Sequence, residues 1–168
     1  MKLTEFFAQQ LDREVPISRR VLARVPEGRP DWKPHEKSMQ LGYLATLVAT
    51  MPSWLTMAIA QDTLDLAPTS GPGYKAPEWR TNAELLGHLE AAAASAREAL
   101  AGTTDRHLAT AWRLLVAGRT VAENPRHVVI ADTLCHAAHH RGQLTVYLRL
   151  LDIPVPSVYG PSADERTF

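Results

Sequence analysis

Two histidines, His136 and His140, stand four residues apart in the stretch Ala131-Asp-Thr-Leu-Cys-His-Ala-Ala-His-His-Arg-Gly-Gln-Leu-Thr-Val-Tyr-Leu-Arg-Leu-Leu151. No proline interrupts the stretch before Pro154, and it reads as a helix. On a helix this spacing puts both imidazoles on one face, one turn apart. Asp132, Leu144, Tyr147 and Leu151 fall on the same stripe. An imidazole is costly to bury without a partner. A divalent metal ion would satisfy both rings, because neutral imidazole is the commonest protein metal ligand. Hydrogen bonds to neighbours would do so equally, and the pair would then be ordinary core histidines. Asp132, one turn before His136, is placed either to accept a hydrogen bond from its ring or to lie on the surface as a plain carboxylate. His139 projects about 100° from His140, toward an outer network. Gln143 returns to the side of His140. Cys135 is most simply a small buried apolar residue.

The residues around the pair carry a resemblance. His136-x-x-x-His140-Arg141-Gly142-Gln143-Leu144 resembles the signature of the DinB-like superfamily, the damage-inducible helical-bundle proteins. Asp31-Trp-Lys-Pro-His-Glu-Lys-Ser-Met39 resembles that family's lead-in to its second helix. Trp112-Arg-Leu-Leu115 and Pro125-Arg-His127 resemble the segment before its last helix, and Tyr159-Gly-Pro-Ser162 its tail. The resemblance spans nearly the whole chain. It implies an all-α four-helix bundle in up-down-down-up order, with a divalent metal, zinc or nickel, at one open end. It also implies a homodimer, and thiol S-transfer or related metal-assisted chemistry with a low-molecular-weight thiol. Relatives include thiol-dependent S-transferases and a mycothiol-dependent isomerase.

The family takes a third metal ligand from a histidine in its second helix. Here that stretch reads Leu41-Gly-Tyr-Leu-Ala-Thr-Leu-Val-Ala-Thr-Met51, and Leu47 stands at the ligand position. Leucine binds no metal, so a third ligand falls to His35, His88, a carboxylate or water. Three readings follow: a metal-dependent transferase or hydrolase, a metal-free protein that binds a small molecule, and a dimerising interaction protein.

The elements that must position these residues follow from hydrophobic period and turn chemistry. Leu3, Phe7, Leu11, Val15, Leu22 and Val25 give a first helix with Thr4 as its cap, and Pro16 predicts a kink in it. Ser38 caps a second helix running to about Ala60, bent at Pro52. In it Met51, Trp54 and Met57 serve either as pocket walls or as plain core. Gln61 to Arg80, with Pro68, Gly71, Pro72, Gly73 and Pro77, reads as a long crossover loop. Thr81-Asn-Ala-Glu84 is a capping box that starts a third helix, which ends at Gly102. His88 lies at the edge of its apolar stripe. Trp112, Leu114 and Val116 alternate before Gly118, which predicts a short β-hairpin ahead of the last helix. Asn124 and Pro125 are then placed as cap and first residue of that helix.

At 168 residues the chain reads as one domain, and 45% hydrophobic content is ordinary for a globular protein. Eighteen basic and eighteen acidic side chains give zero formal charge, which argues against a nucleic-acid partner. The single cysteine allows no internal disulfide. There is no signal-peptide pattern and no run of about twenty apolar residues for a membrane span, so the cytoplasm is the expected location.

Overall fold

The structure is a computed structural model describing residues 1–69 and 77–166. The stretch 70–76 of the expected crossover, with Gly71, Pro72 and Gly73, lies outside the described residues.

Helix α1 spans Leu3–Leu22 and buries Phe7, Leu11, Val15, Val21 and Leu22. The first N–H groups of a helix have no partner within it. Here Leu3 and Thr4 donate theirs to the Asp105 carboxylate at 3.0 and 3.1 Å, so a residue about a hundred positions away supplies the cap expected from Thr4. The bond from Leu3 leads the effects that hold the Asp105 carboxyl below its usual range. α1 runs through Pro16 without a break. Pro16 is exposed, and so is Asp12, whose carbonyl loses its helical donor toward solvent rather than inside the core.

The expected bend at Pro52 divides the second helical stretch into α2, Leu41–Thr50, and α3, Pro52–Ala60, inclined at 52°. Proline opens α3 at a position where its missing donor costs nothing. Gly42 lets α2 pass close to the preceding loop: a Cβ there would lie 2.8 Å from Cβ of Pro30. Strand β1, Thr63–Asp65, follows. Helix α4, Asn82–Ala101, carries the predicted capping box: Thr81 Oγ1 accepts from Glu84 N, and Glu84 Oε2 from Thr81 N, both at 3.3 Å. It ends on Gly102 as predicted, and its buried face of Ala92, Ala93 and Ala96 permits close packing.

The short helix α5, Asp105–Leu108, leads to strands β2, Ala111–Val116, and β3, Arg119–Pro125. These form the predicted hairpin. Its two-residue turn, Ala117 and Gly118, has φ of 50° and 76°, the left-handed conformation that matches the twist of the strands. The Asp65 carboxylate fixes this turn by accepting from Ala117 N at 3.1 Å and Gly118 N at 2.7 Å. β1 adds to β2 in parallel, so the sheet has three strands in the order β1-β2-β3. The fold is therefore mainly helical rather than purely so. Helix α6, Arg126–Leu150, starts one residue later than the sequence suggests, because β3 pairing continues through Pro125.

α1, α2, α3, α4 and α6 pack around one core that includes Leu11, Leu44, Leu55, Leu89, Ile130 and Leu144. Each buried leucine contributes roughly 1.5–3 kcal/mol. Among the described residues no single helix is long and apolar enough to cross a membrane.

Two buried arginines anchor α6. Arg126 reaches the C-terminal end of α3, donating to Ala58 O at 2.6 Å, to Gln61 O and to the Asp62 carboxylate. Helix C-terminal carbonyls lack partners and carry the negative end of the dipole, which suits a guanidinium. Arg141 donates to Ser18 Oγ at 3.0 Å and to Glu14 Oε2 at 2.6 Å, and it lies 5.2 Å above the Tyr159 ring. Through Tyr159 it also holds the non-helical C-terminal tail on the helices.

Candidate functional site

A cavity of about 460 Å³ lies between the sheet, α3 and α6. Its size falls in the range of small-molecule sites. Trp112 and Leu114 face it from β2, two apart and so on one side of the strand. Trp54 and Met57 come from α3, and Leu64 from β1. α6 contributes Val129, Asp132, Thr133 and His136, the spacing of a single helical face. A second hollow, of about 20 Å³ beside Leu11 and Val48, has room for a water and no more.

The cavity's polar groups differ in how far they are already engaged. Asp65 is taken up by the hairpin turn. Thr133 donates to Val129 O at 2.8 Å. His136 makes no hydrogen bond among the described residues; its ring meets Trp54 edge-on, with centroids 5.7 Å apart. Asp132 is exposed and does not bond to the His136 ring.

Behind His136 lies His140, buried, with ring centroids 4.5 Å apart. Its Nδ1 is 2.8 Å from Gln143 Oε1. An amide oxygen only accepts, so Nδ1 carries a proton, and in the neutral ring Nε2 keeps its lone pair. His139 is exposed, its ring 5.2 Å from His140. Burial first, and then the neighbouring His140 and His139, push the His136 pKa below its ordinary value. Thus His136, His140, Gln143 and His139 form one cluster, and Asp132 shares the cavity with its outermost member.

Comparison with solved structures bears on the architecture that holds this cluster. The chain is similar to a DinB-like protein from Bacillus cereus ATCC 10987, with a TM-score of 0.69 and 21% identity over 92% of this chain and 97% of that one. It is also similar to a DinB-like protein from Bacillus subtilis, with a TM-score of 0.66 and 15% identity over 95% of this chain and 99% of that one. The fold is DinB-like. At these identities the likeness concerns the fold alone. No family model and no curated protein matches the sequence.

The sequence resemblance makes Leu47, an apolar residue, the third ligand position. The Tyr147 hydroxyl donates to Met39 O at 3.1 Å, and His136 meets Trp54, so α6 runs antiparallel to the α2–α3 pair. Leu47 belongs to the α2 segment between these two crossings and is buried. His35 is exposed in the loop before α2, where its Nδ1 accepts from Lys37 N at 3.1 Å. His88 pairs its Nε2 with Glu78 O at 3.2 Å. Among the described residues no three His, Cys, Asp or Glu side chains gather in a metal-binding group. A catalytic zinc centre takes three protein ligands. The pair supplies two, and the donor set does not fit such a centre.

Cys135 is exposed, against the sequence expectation: it sits one residue before His136, off the core face. Trp54 and Met57 do line the cavity, whereas Met51 is plain core. Trp112, Leu114, Leu64, Asp65 and Asn124 line the cavity, a role that their sequence patterns do not indicate. The alternation of Trp112 and Leu114 marks a shared face, but nothing local says what that face covers.

Proposed function

We propose that this chain binds a small, largely apolar molecule in the cavity between the sheet, α3 and α6. The observation that carries this reading is the position of His136, its ring free of hydrogen bonds in the wall of a 460 Å³ apolar cavity. A neutral imidazole there accepts a hydrogen bond or a proton from a bound molecule, the role of a general base. His140, its tautomer set by Gln143, supports the ring from behind. In this reading α2 and α3 form one bent arm of a four-helix bundle in up-down-down-up order, and the sheet is an added wall of the site. The absence of a net charge favours a small-molecule role over nucleic-acid binding. The sequence resemblance supports a homodimer, which light scattering tests.

A second reading is metal-assisted thiol transfer. The close ring spacing and the free Nε2 of His140 favour it; the apolar side chain of Leu47 weighs against it.

Calorimetric titration with 2-phenylethanol tests the first reading. Ala122 lines the cavity from an exposed strand position that tolerates an aromatic side chain. Saturable binding by the wild type, lost in Ala122→Trp, supports the cavity as the site. Equal binding by both proteins, or by neither, refutes it.

A further inference from the structure

The chemistry of the cavity wall narrows what it accepts. Its charged lining groups, among the described residues, are Asp65 and Asp132, both acidic; neither lysine nor arginine lines it. Two indoles, Trp54 and Trp112, face the same space. Their rings give this side of the wall a large apolar surface. The Asp65 carboxylate already accepts from the N–H groups of Ala67, Ala117 and Gly118, which spread its charge into the turn. Asp132 makes no hydrogen bond among the described residues and stands at the solvent edge of the cavity, one helical turn from His136.

Resting on the cavity reading above, we infer that the cavity selects a small organic ammonium ion, with Asp132 as its counter-ion and the Trp54 and Trp112 side of the cavity receiving its apolar body. A carboxylate ligand would bring a third negative charge beside Asp65 and Asp132, with no cation among the described lining residues to meet it. This is repulsion against the wrong ligand as well as attraction to the right one. The His136 ring, free of hydrogen bonds in the same wall, offers a ring nitrogen as acceptor to an ammonium N–H. Because Asp132 is exposed, solvent and salt screen its charge, and the preference is a modest one.

Three probes of nearly equal shape separate these contributions: 2-phenylethylamine, 2-phenylethanol and 3-phenylpropionate, titrated into the intact protein at low ionic strength and neutral pH. The amine binds about three-fold tighter than the alcohol, on the scale of a partly screened ion pair. The propionate binds weakest. Asp132→Asn brings the amine to the level of the alcohol and leaves the alcohol unchanged; added salt narrows the gap in the wild type alone. Trp54→Leu weakens the amine and the alcohol alike. An amine no tighter than the alcohol overturns cation selection while the cavity reading stands. A preference that survives Asp132→Asn overturns the role of Asp132. Failure of all three probes to bind removes both the cavity reading and this inference.

Discussion

The rings of His136 and His140 lie 4.5 Å apart, centroid to centroid, with His136 exposed and His140 buried. Two imidazolium ions at that distance repel, and burial disfavours the charged form further. This has a consequence for stability. Burial, then His140, then His139 lower the His136 pKa in the folded chain. Above the unfolded value of about 6.5 the ring is neutral in both states, and the fold keeps its full stability. As pH falls below that value the unfolded chain takes up a proton that the folded chain resists, so stability drops until pH passes the lowered folded-state pKa. The urea midpoint therefore falls as pH is lowered through about 6.5, and His136→Gln flattens that fall. An unchanged slope in the variant contradicts the assignment.

Arg126 and Asp62 form an ion pair whose halves differ in worth. The Arg126 side chain is 2% exposed and that of Asp62 82%. Replacing Arg126 with Met strands the Ala58 and Gln61 carbonyls at the end of α3. The expected loss is about 2–4 kcal/mol in urea unfolding. Asp62→Asn leaves those carbonyl bonds intact and removes only an exposed charge, for a loss below about 1 kcal/mol. Equal losses would show that the ion pair, rather than the helix-end carbonyls, carries the effect.

Leu47 tests the metal question. It is buried in α2, which packs against α6. Leu47→His adds a third imidazole to the pair. Zinc then binds at least about ten-fold tighter than to wild type in calorimetry on tag-free protein, with affinity falling as pH drops because the ligands must be deprotonated. Without metal the variant is less stable by about 1–3 kcal/mol, the cost of an unpaired polar group in an apolar site. Adding His136→Ala to Leu47→His removes the gain. A variant no tighter than wild type shows that position 47 does not face the pair.

Much of the helical frame was legible because local chemistry decides it. The Thr81–Glu84 capping box, the stop at Gly102 and the bend at Pro52 each follow from a few neighbouring residues. The hairpin was legible from alternation before Gly118. β1 was not: three residues make no pattern, and their parallel pairing with β2 joins positions fifty apart, Thr63 with Arg113. Long-range caps escaped for the same reason. Asp105 on the α1 N-terminus and Arg126 on the α3 C-terminus are set by packing, and no local signal announces them. The spacing of His136 and His140 placed them together correctly. The cavity in front of them arises where the sheet meets α3 and α6, a contact that no single segment encodes.

The most direct test of the cavity reading uses the four tryptophans as internal probes. Trp54 and Trp112 line the cavity. Trp32 packs on Tyr147, and Trp79 donates its indole N–H to Gly42 O at 3.4 Å, neither within the cavity wall. The measurement is a titration of nitrogen-15-labelled protein with 2-phenylethanol, followed through the indole N–H signals. The signals of Trp54 and Trp112 should move together along one saturable curve while those of Trp32 and Trp79 stay in place. Equal small drifts in all four signals, or saturable shifts confined to Trp32 and Trp79, would contradict a small-molecule site beside His136.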